Sequence, residues 1–480
     1  MASPAHFIPS FKFALYVYLV LLSISFSGAS EDTLTADSNN FHSVDAGSIL
    51  PSLICQSSTS KGSSSKSTLN LVNKYGPCYR GESTKLTLAQ ILSKDQARVA
   101  SIQFRLASSL NTSGILDHKS TTLPGKTGAS LETGNYVVTV GLGTPKKPYT
   151  LVFDTGSDLT WTQCQPCLAS CYQQIDPIYN PKLSSTYSPV SCFAPQCGWL
   201  VYGTGNNPGC YGGSTCVYTI RYGDQSFSQG FFAKETLSLA TDVFPGFLFG
   251  CGQNNQGLFG KTDGLLGLGK SQVSLVSQTA WKYGKVFSYC LPSWSGSNGY
   301  LSFGKPLYGF PKTVKFTPFS TSRLTRFYYA VDLVGITVGG KLLPISLKVF
   351  QTAGTIVDSG TVITRLPPAA YSALRTAFRQ GMTQYKLAPA FSLLDTCYDF
   401  SGLSTINIPK ISFLFKGSAN VDLGISGILV AASSNQVCLA FAGNGAATDP
   451  GIFGNIQQQK LQVVYDVAGA RVGFGPGGCS

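Results

Sequence analysis

The sequence predicts an all-β protein, mainly antiparallel, folded as two lobes with a few short helices. From Asn135 onward, short runs rich in Val, Tyr, Phe and Thr are broken by Gly, Pro, Asn and Asp, the pattern of strands joined by tight turns. The chain has 480 residues, more than one core organises, since single cores stop growing near about 250–300 residues. One pattern also occurs twice: Val152-Phe153-Asp154-Thr155-Gly156-Ser157 is echoed by Ile356-Val357-Asp358-Ser359-Gly360-Thr361.

At the start of the chain, Lys12 precedes an apolar run from Phe13 to Phe26, and Ser27, Gly28, Ala29 and Ser30 follow. Residues 1–30 therefore read as a secretory signal peptide cut near Ala29 or Ser30. The run is too short for a membrane span, which needs about 20 apolar residues, and no later stretch is long enough either. Residues 31–125 differ in style from the β-rich body. They hold a Ser/Lys/Thr-rich stretch, Ser57 to Thr68, and one amphipathic helix expected over Thr87 to Leu106. Its Ile91, Leu92, Val99, Ile102 and Leu106 recur at helical spacing. Such a segment could cover a cleft. Asn111, Thr112 and Ser113 form the one N-glycosylation sequon, which predicts exposure.

In the body, strands are expected at Tyr136–Val140, Tyr149–Phe153, Val217–Tyr222, Phe327–Leu333 and Leu461–Asp466. A helix is expected over Pro367–Gln380, where Pro sits early and Leu374 and Phe378 lie four apart. Each copy of the repeat has a downstream partner, an apolar pair followed by glycine: Leu265-Leu266-Gly267 and Ile452-Phe453-Gly454. One duplicated lobe explains all four segments and divides the body into 134–320 and 321–480.

Composition removes several functions. Fourteen cysteines in a secreted chain imply disulfides. Cys164, Cys167 and Cys171 resemble metal ligands in their spacing, but residues 131–480 hold no histidine to complete a mixed zinc site, so neither metal nor cofactor is expected. The net charge is +13, which invites a nucleic-acid reading. Those charges are scattered singly, and the local pair Lys146 and Lys147 sits beside Pro148 in a turn, so they read as a solvated surface. The three histidines are His6, His42 and His118, which leaves Ser-His-Asp and Cys-His mechanisms without a general base in the body.

The two Asp-Thr/Ser-Gly turns carry chemistry if they meet across a pseudo-twofold axis. Carboxylates a few ångströms apart cannot both ionise cheaply, so they share a proton and titrate as a pair. One then draws a proton from a water while the other hydrogen-bonds a scissile carbonyl, which provides both halves of amide hydrolysis. The glycines leave room for a sharply bent backbone close to substrate. Hydroxyls at Ser157 and Thr361 can hold the carboxylates.

These residues resemble those of pepsin-like aspartic proteases, and within them the nepenthesin-like plant group, over roughly residues 134–480. The resemblance implies the bilobal pepsin-like fold, with Asp154 and Asp358 as the catalytic dyad. Thr155, Gly156, Ser157, Ser359, Gly360 and Thr361 support it. Tyr222, followed by Gly223 and Asp224, resembles the tyrosine of a hairpin flap, and Trp161 the tryptophan that supports it. The cysteine-rich insertion 164–216 points to the nepenthesin-like group. By that likeness Cys164 pairs with Cys167, Cys171 with Cys251, Cys192 with Cys216, Cys197 with Cys210, Cys290 with Cys479 and Cys397 with Cys438. The resemblance also implies an inhibitory prosegment over 31–125, whose lysines would contact the cleft carboxylates. It further implies polypeptide substrates cut beside bulky apolar residues at acid pH, pepstatin-type inhibitors and a monomer. The expected address is extracellular, apoplast or cell wall, with vacuole or chloroplast as alternatives.

Three competing readings remain. Gly264 to Ser271 fits the phosphate-loop pattern letter for letter, but its flanks are β-type. A catalytically dead relative could bind and inhibit another enzyme, although such proteins usually lose part of a motif and both motifs are intact here. A chloroplast-nucleoid DNA-binding protease is permitted by the basic charge, but no basic cluster with interleaved aromatics supports it.

Overall fold

A computed structural model describes Met1 and residues 40–50, 55, 67–79, 87–110, 136–222, 226–257, 259, 261–293 and 298–479. Phe41–Ser480 forms one compact unit, built mostly of strands. The expected signal peptide and the Asn111 sequon lie outside the described residues.

The duplicated sequence is a duplicated topology. Lys147–Asp154 runs parallel to Gly264–Gly267, with Asp154 opposite Gly267. Gly264–Gly267 pairs antiparallel with Trp161–Gln163, which runs parallel to the middle of the long strand Asp242–Gln256. Every step recurs in the second half. Thr355–Val357 runs parallel to Gly451–Phe453, which pairs antiparallel with Thr364–Leu366, which runs parallel to Phe441–Gly443. Strands in these central parallel pairs are covered on both faces, which is why they read as unbroken apolar pairs rather than alternating ones.

Strands from both halves also share a sheet. Val286–Cys290 pairs with Gly299–Phe303 on one side and with Gln462–Asp466 on the other. Arg471–Gly475 and Lys315–Pro318 continue outward. Phe287 and Tyr465 stack here at 4.5 Å between ring centroids, and each such buried ring contributes roughly 1.5–3 kcal/mol by leaving water.

The segment before the body is built into it at three places. Phe41–Asp45 pairs with Thr405–Pro409. Thr68–Asn73 lies between Gly299–Ser302 and Tyr136–Val138, burying Leu69 and Leu71. The helix spans Leu88–Leu110. Thr87 precedes it as a cap: its hydroxyl accepts from the Gln90 N–H at 3.3 Å while Gln90 Oε1 accepts from the Thr87 N–H at 2.8 Å. Thr87, expected as the first helical residue, is therefore outside the helix. The expected strand Phe327–Leu333 is shorter than foreseen: it follows a 3-10 turn, Arg323–Arg326, and holds only Ala330–Val331 and the first residue of the strand Leu333–Val338.

All fourteen cysteines are paired, and four of the six pairings implied by resemblance are replaced. Cys290–Cys479 and Cys397–Cys438 form as expected. Cys164 bonds Cys251, not Cys167, because the parallel strands place Thr162 opposite Cys251 and the Cys164 N–H donates to Gly252 O at 2.8 Å. Cys167 is then left to Cys171, so the expected Cys171–Cys251 bridge does not form. Cys197 and Cys216 are both buried in one apolar cluster and bond each other. The more exposed Cys192 and Cys210 form the outer bridge, which replaces the expected Cys192–Cys216 and Cys197–Cys210. Cys55–Cys78 closes a loop before the body. Peptide mapping without reduction is expected to recover the Cys164–Cys251 and Cys167–Cys171 linkages; a Cys164–Cys167 fragment would overturn this register.

Candidate active site

Asp154 ends its strand and Asp358 directly follows Thr355–Val357, so the two parallel pairs deliver the two carboxylates to one place. The turns that carry them interlock with near-twofold symmetry. The Thr155 N–H donates to Ser359 Oγ at 3.1 Å, and the Ser359 N–H donates to Thr155 Oγ1 at 3.0 Å. The two hydroxyls lie 3.2 Å apart. Each carboxylate also receives the N–H two residues on: Gly156 to Asp154 Oδ1 at 3.0 Å, and Gly360 to Asp358 Oδ1 at 3.1 Å. Asp154, Thr155, Asp358 and Ser359 are all buried.

The halves are not identical. Thr361 Oγ1 donates to Asp358 Oδ2 at 2.6 Å. Ser157 Oγ, expected to do the same for Asp154, is buried and makes no hydrogen bond of comparable geometry, although it lies close enough to help lower the Asp154 carboxyl. The Asp358 turn has further support from Asn455 Nδ2, which donates to Ser359 O at 2.9 Å. The glycines are steric necessities: a Cβ on Gly156 would lie 2.8 Å from Asp358 Oδ1, and one on Gly267 would lie 2.2 Å from Asp158 O.

The helix Leu88–Leu110 lays its buried face on this pair. Arg98 Nη2 donates to Asp154 Oδ1 at 2.7 Å and to Asp358 Oδ1 at 2.8 Å. Arg98 Nε donates to Asp358 Oδ2 at 2.9 Å. A planar fork suits this double contact where a lysine ammonium would not. Burial is the largest influence and would raise the Asp154 carboxyl, but the Arg98 charge together with the polar contacts of Ser157, Arg98 and the Gly156 N–H holds it below the usual carboxylate range. A Cβ on Gly360 would lie 2.3 Å from Arg98 Cζ, so the second glycine also clears the guanidinium's seat. The contact expected from lysines is thus made by an arginine.

One turn earlier, Asp95 accepts from the N–H groups of Val362 and Ile363 at 2.6 and 3.1 Å. Its Oδ2 also lies 2.9 Å from Arg365 Nη2, with both side chains fully buried. Burial pushes the Asp95 carboxyl up, against the pull of Arg365 and the two N–H bonds.

Trp161 and Tyr222 meet as expected: Trp161 Nε1 donates to Tyr222 OH at 2.8 Å. Phe259 packs edge-on against both rings, at 4.8 and 5.7 Å between centroids. Gly223 and Asp224 lie outside the described residues. The phosphate-loop pattern is otherwise employed. Gly264–Gly267 is the central strand of the first half, the Ser271 N–H donates to Asp158 Oδ1 at 2.7 Å, and Lys270 Nζ donates to Thr325 O.

Comparison with known proteins places this arrangement. Two family models match, described as Xylanase inhibitor N-terminal over residues 136–305 and Xylanase inhibitor C-terminal over residues 328–476. An aspartyl protease family protein of Arabidopsis thaliana is 50% identical over 467 residues, covering 96% of this chain and 98% of that protein. Aspartic proteinase nepenthesin-2 of Nepenthes gracilis is 40% identical, covering 72% of this chain and 78% of its own length. The chain belongs to the pepsin-like aspartic protease family.

As a member of that family it is an aspartic-type endopeptidase, a hydrolase of peptide bonds, with nepenthesin-like plant proteins among its relatives. Its fold is shared with the crystal structure of edgp, at a TM-score of 0.59 and 23% identity over 73% of this chain and 93% of that one. The lupine seed conglutin gamma is similar at a TM-score of 0.56 and 22% identity, over 71% and 91% of the two chains. Sequence reading of this protease missed Arg98, Asp95, Arg365 and Phe259. A signal existed for the helix residues: Ile91, Asp95, Arg98 and Ile102 are spaced four, three and four apart, so the two charges lie on the buried stripe. Replacing Thr155 by Val should leave the Ser359 N–H without its acceptor and lower stability by about 1–3 kcal/mol. A thermal unfolding midpoint unchanged from wild type would show that the interlock carries no such load.

Proposed function

We propose that this protease is made as a secreted zymogen and that its mature form cleaves polypeptides at acid pH with a water activated between Asp154 and Asp358. The observation that carries the reading is the single nitrogen, Arg98 Nη2, hydrogen-bonded to the inner oxygens of both carboxylates. That nitrogen stands in for the water. Once it leaves, the two carboxyls share one proton. The ionised one takes a proton from water as it attacks the scissile carbonyl, and the protonated one donates to the carbonyl oxygen. No metal or covalent intermediate is required. The interlock of Thr155 and Ser359 supports this by holding the two acids in register. Trp161 and Phe259 hold Tyr222 beside the site as the base of a closing flap.

The helix, with the rest of 31–125, acts as the inhibitory prosegment. Its release takes up a proton, because two ionised carboxylates paired with Arg98 become a dyad sharing one. Since Asp154 is held low in the closed form, its contribution to closure is present above the ordinary carboxylate range. It is lost as pH falls through the lowered value. Asp95 has the opposite sign: its raised carboxyl favours the closed form at low pH, so Asp95 does not drive release. The apolar leader supports export, and the apoplast or cell wall is the proposed address.

The names of the matching family models favour a second reading, an inhibitor that binds another enzyme, but an intact, interlocked dyad favours catalysis. The test holds the full-length chain at about pH 3–4, near the ordinary carboxylate range, then assays a denatured protein with and without pepstatin. Shortening and pepstatin-sensitive cleavage are expected, with Asp154→Asn and Asp358→Asn each falling by about 10²–10⁴-fold or more. A correctly shortened wild type without activity would support the inhibitor reading.

A further inference from the structure

Arg365 is a buried cation whose ion-pair partner among the described residues is on the helix, not in the body. Its Nη2 contacts Asp95 Oδ2 at 2.9 Å and Gln96 Oε1 at 3.3 Å, and both residues belong to the helix. The contact it keeps within the body is Nη1 to the backbone oxygen of Ile363, at 2.9 Å. The Val362 and Ile363 N–H groups likewise donate to Asp95, and among the described residues to no acceptor of the body. Departure of the helix therefore strips one guanidinium and two backbone donors of the same carboxylate at the same moment. A buried cation without an anion is costly, and so are orphaned donors.

We propose that Arg365, with the Val362 and Ile363 N–H groups, forms a subsite of the mature cleft that takes the side-chain carboxylate of a substrate aspartate or glutamate. Asp95 occupies that subsite in the zymogen. This rests on the proteolytic reading above and adds a substrate class to it. The position suits a substrate side chain. Asp95 lies three residues from Arg98, about 4.5 Å along the helix axis, and an extended peptide covers about 3.3–3.6 Å per residue. The recognised carboxylate would thus sit within a few residues of the scissile bond. Val362 directly follows Thr361, which holds Asp358, so the subsite and the dyad share one turn of chain. Its wall is apolar: Val362, Ile363, Leu394 and Ile456 now pack with Ile91 and Leu92 of the helix. An acidic residue flanked by apolar ones matches both the donors and the wall.

The test uses the mature enzyme obtained by acid processing of the full chain. Cleavage sites in a peptide mixture are first mapped by mass spectrometry, at a pH where free peptide carboxylates are ionised. Asp and Glu should be enriched at one fixed position relative to the cut. A matched pair of peptides with Glu or Gln at that position should then differ by about tenfold or more in kcat/KM, the size of a charge-assisted hydrogen-bonded pair. Arg365→Met should bring that ratio close to one, while Arg365→Lys should retain part of it. The wild-type ratio needs no variant, so a poorly folding Arg365→Met does not remove the test. Equal cleavage of both peptides by wild type would overturn the subsite and leave the protease reading standing. Cleavage of neither would overturn both.

Discussion

Two carboxylates buried side by side cannot both remain ionised unless a positive charge lies between them, and the rest of the structure is arranged around that constraint. Two parallel strand pairs bring Asp154 and Asp358 together. Thr155 and Ser359 lock the turns, and glycines at 156 and 360 clear the space above them. Arg98 supplies the charge, with one nitrogen shared by both acids. Without a cation the pair must hold a proton, and a pair that holds one proton is the acid and base that amide hydrolysis needs. On the proposed reading, inhibition and catalysis are two protonation states of one site.

The segment that delivers Arg98 is fixed to the body by more than that contact. Its strand Thr68–Asn73 lies within the shared sheet, Phe41–Asp45 pairs with Thr405–Pro409 in a sheet of two strands, and the helix buries Ile91, Leu92, Val99 and Ile102. Packing of this kind sets where the helix sits; in the proposed zymogen, electrostatics set when it leaves. The second ion pair, Asp95 with Arg365, differs in kind from the first. On the proposed reading it opposes release on acidification, and it marks a place where Arg365 and two backbone N–H groups of the body meet one carboxylate of the helix.

The fold and the meeting of the two aspartate turns were legible because both are written twice. A duplicated apolar-apolar-Asp motif, each copy with its own downstream apolar-Gly segment, is hard to satisfy except by two copies of one lobe. The absence of histidine from residues 131–480 left carboxylates to do the chemistry. Arg98 was not legible in the same way, since an arginine on an amphipathic helix ordinarily faces water; only its place on the Ile91–Ile102 stripe marks it as buried. Disulfide partners taken from the resemblance were misassigned where strand register and burial decide the pairing. Cys164 follows a strand lying parallel to the one that holds Cys251, and burial rather than spacing sorted Cys192, Cys197, Cys210 and Cys216. Arg365 read as one more scattered charge, because nothing in a strand's own sequence reveals which carboxylate an upstream helix will bring to it.

The measurement that tests the account most directly is the initial rate at which full-length Arg98→Gln chain cleaves a short fluorogenic peptide at a mildly acidic pH where full-length wild type is latent, with chain integrity checked on a gel. Glutamine removes the charge that lets both carboxylates ionise while keeping much of the side chain's length. The account predicts pepstatin-sensitive cleavage by the unshortened variant and none by the unshortened wild type. A variant that stays as latent as wild type until its first segment is cut away would contradict the claim that one guanidinium holds the dyad silent.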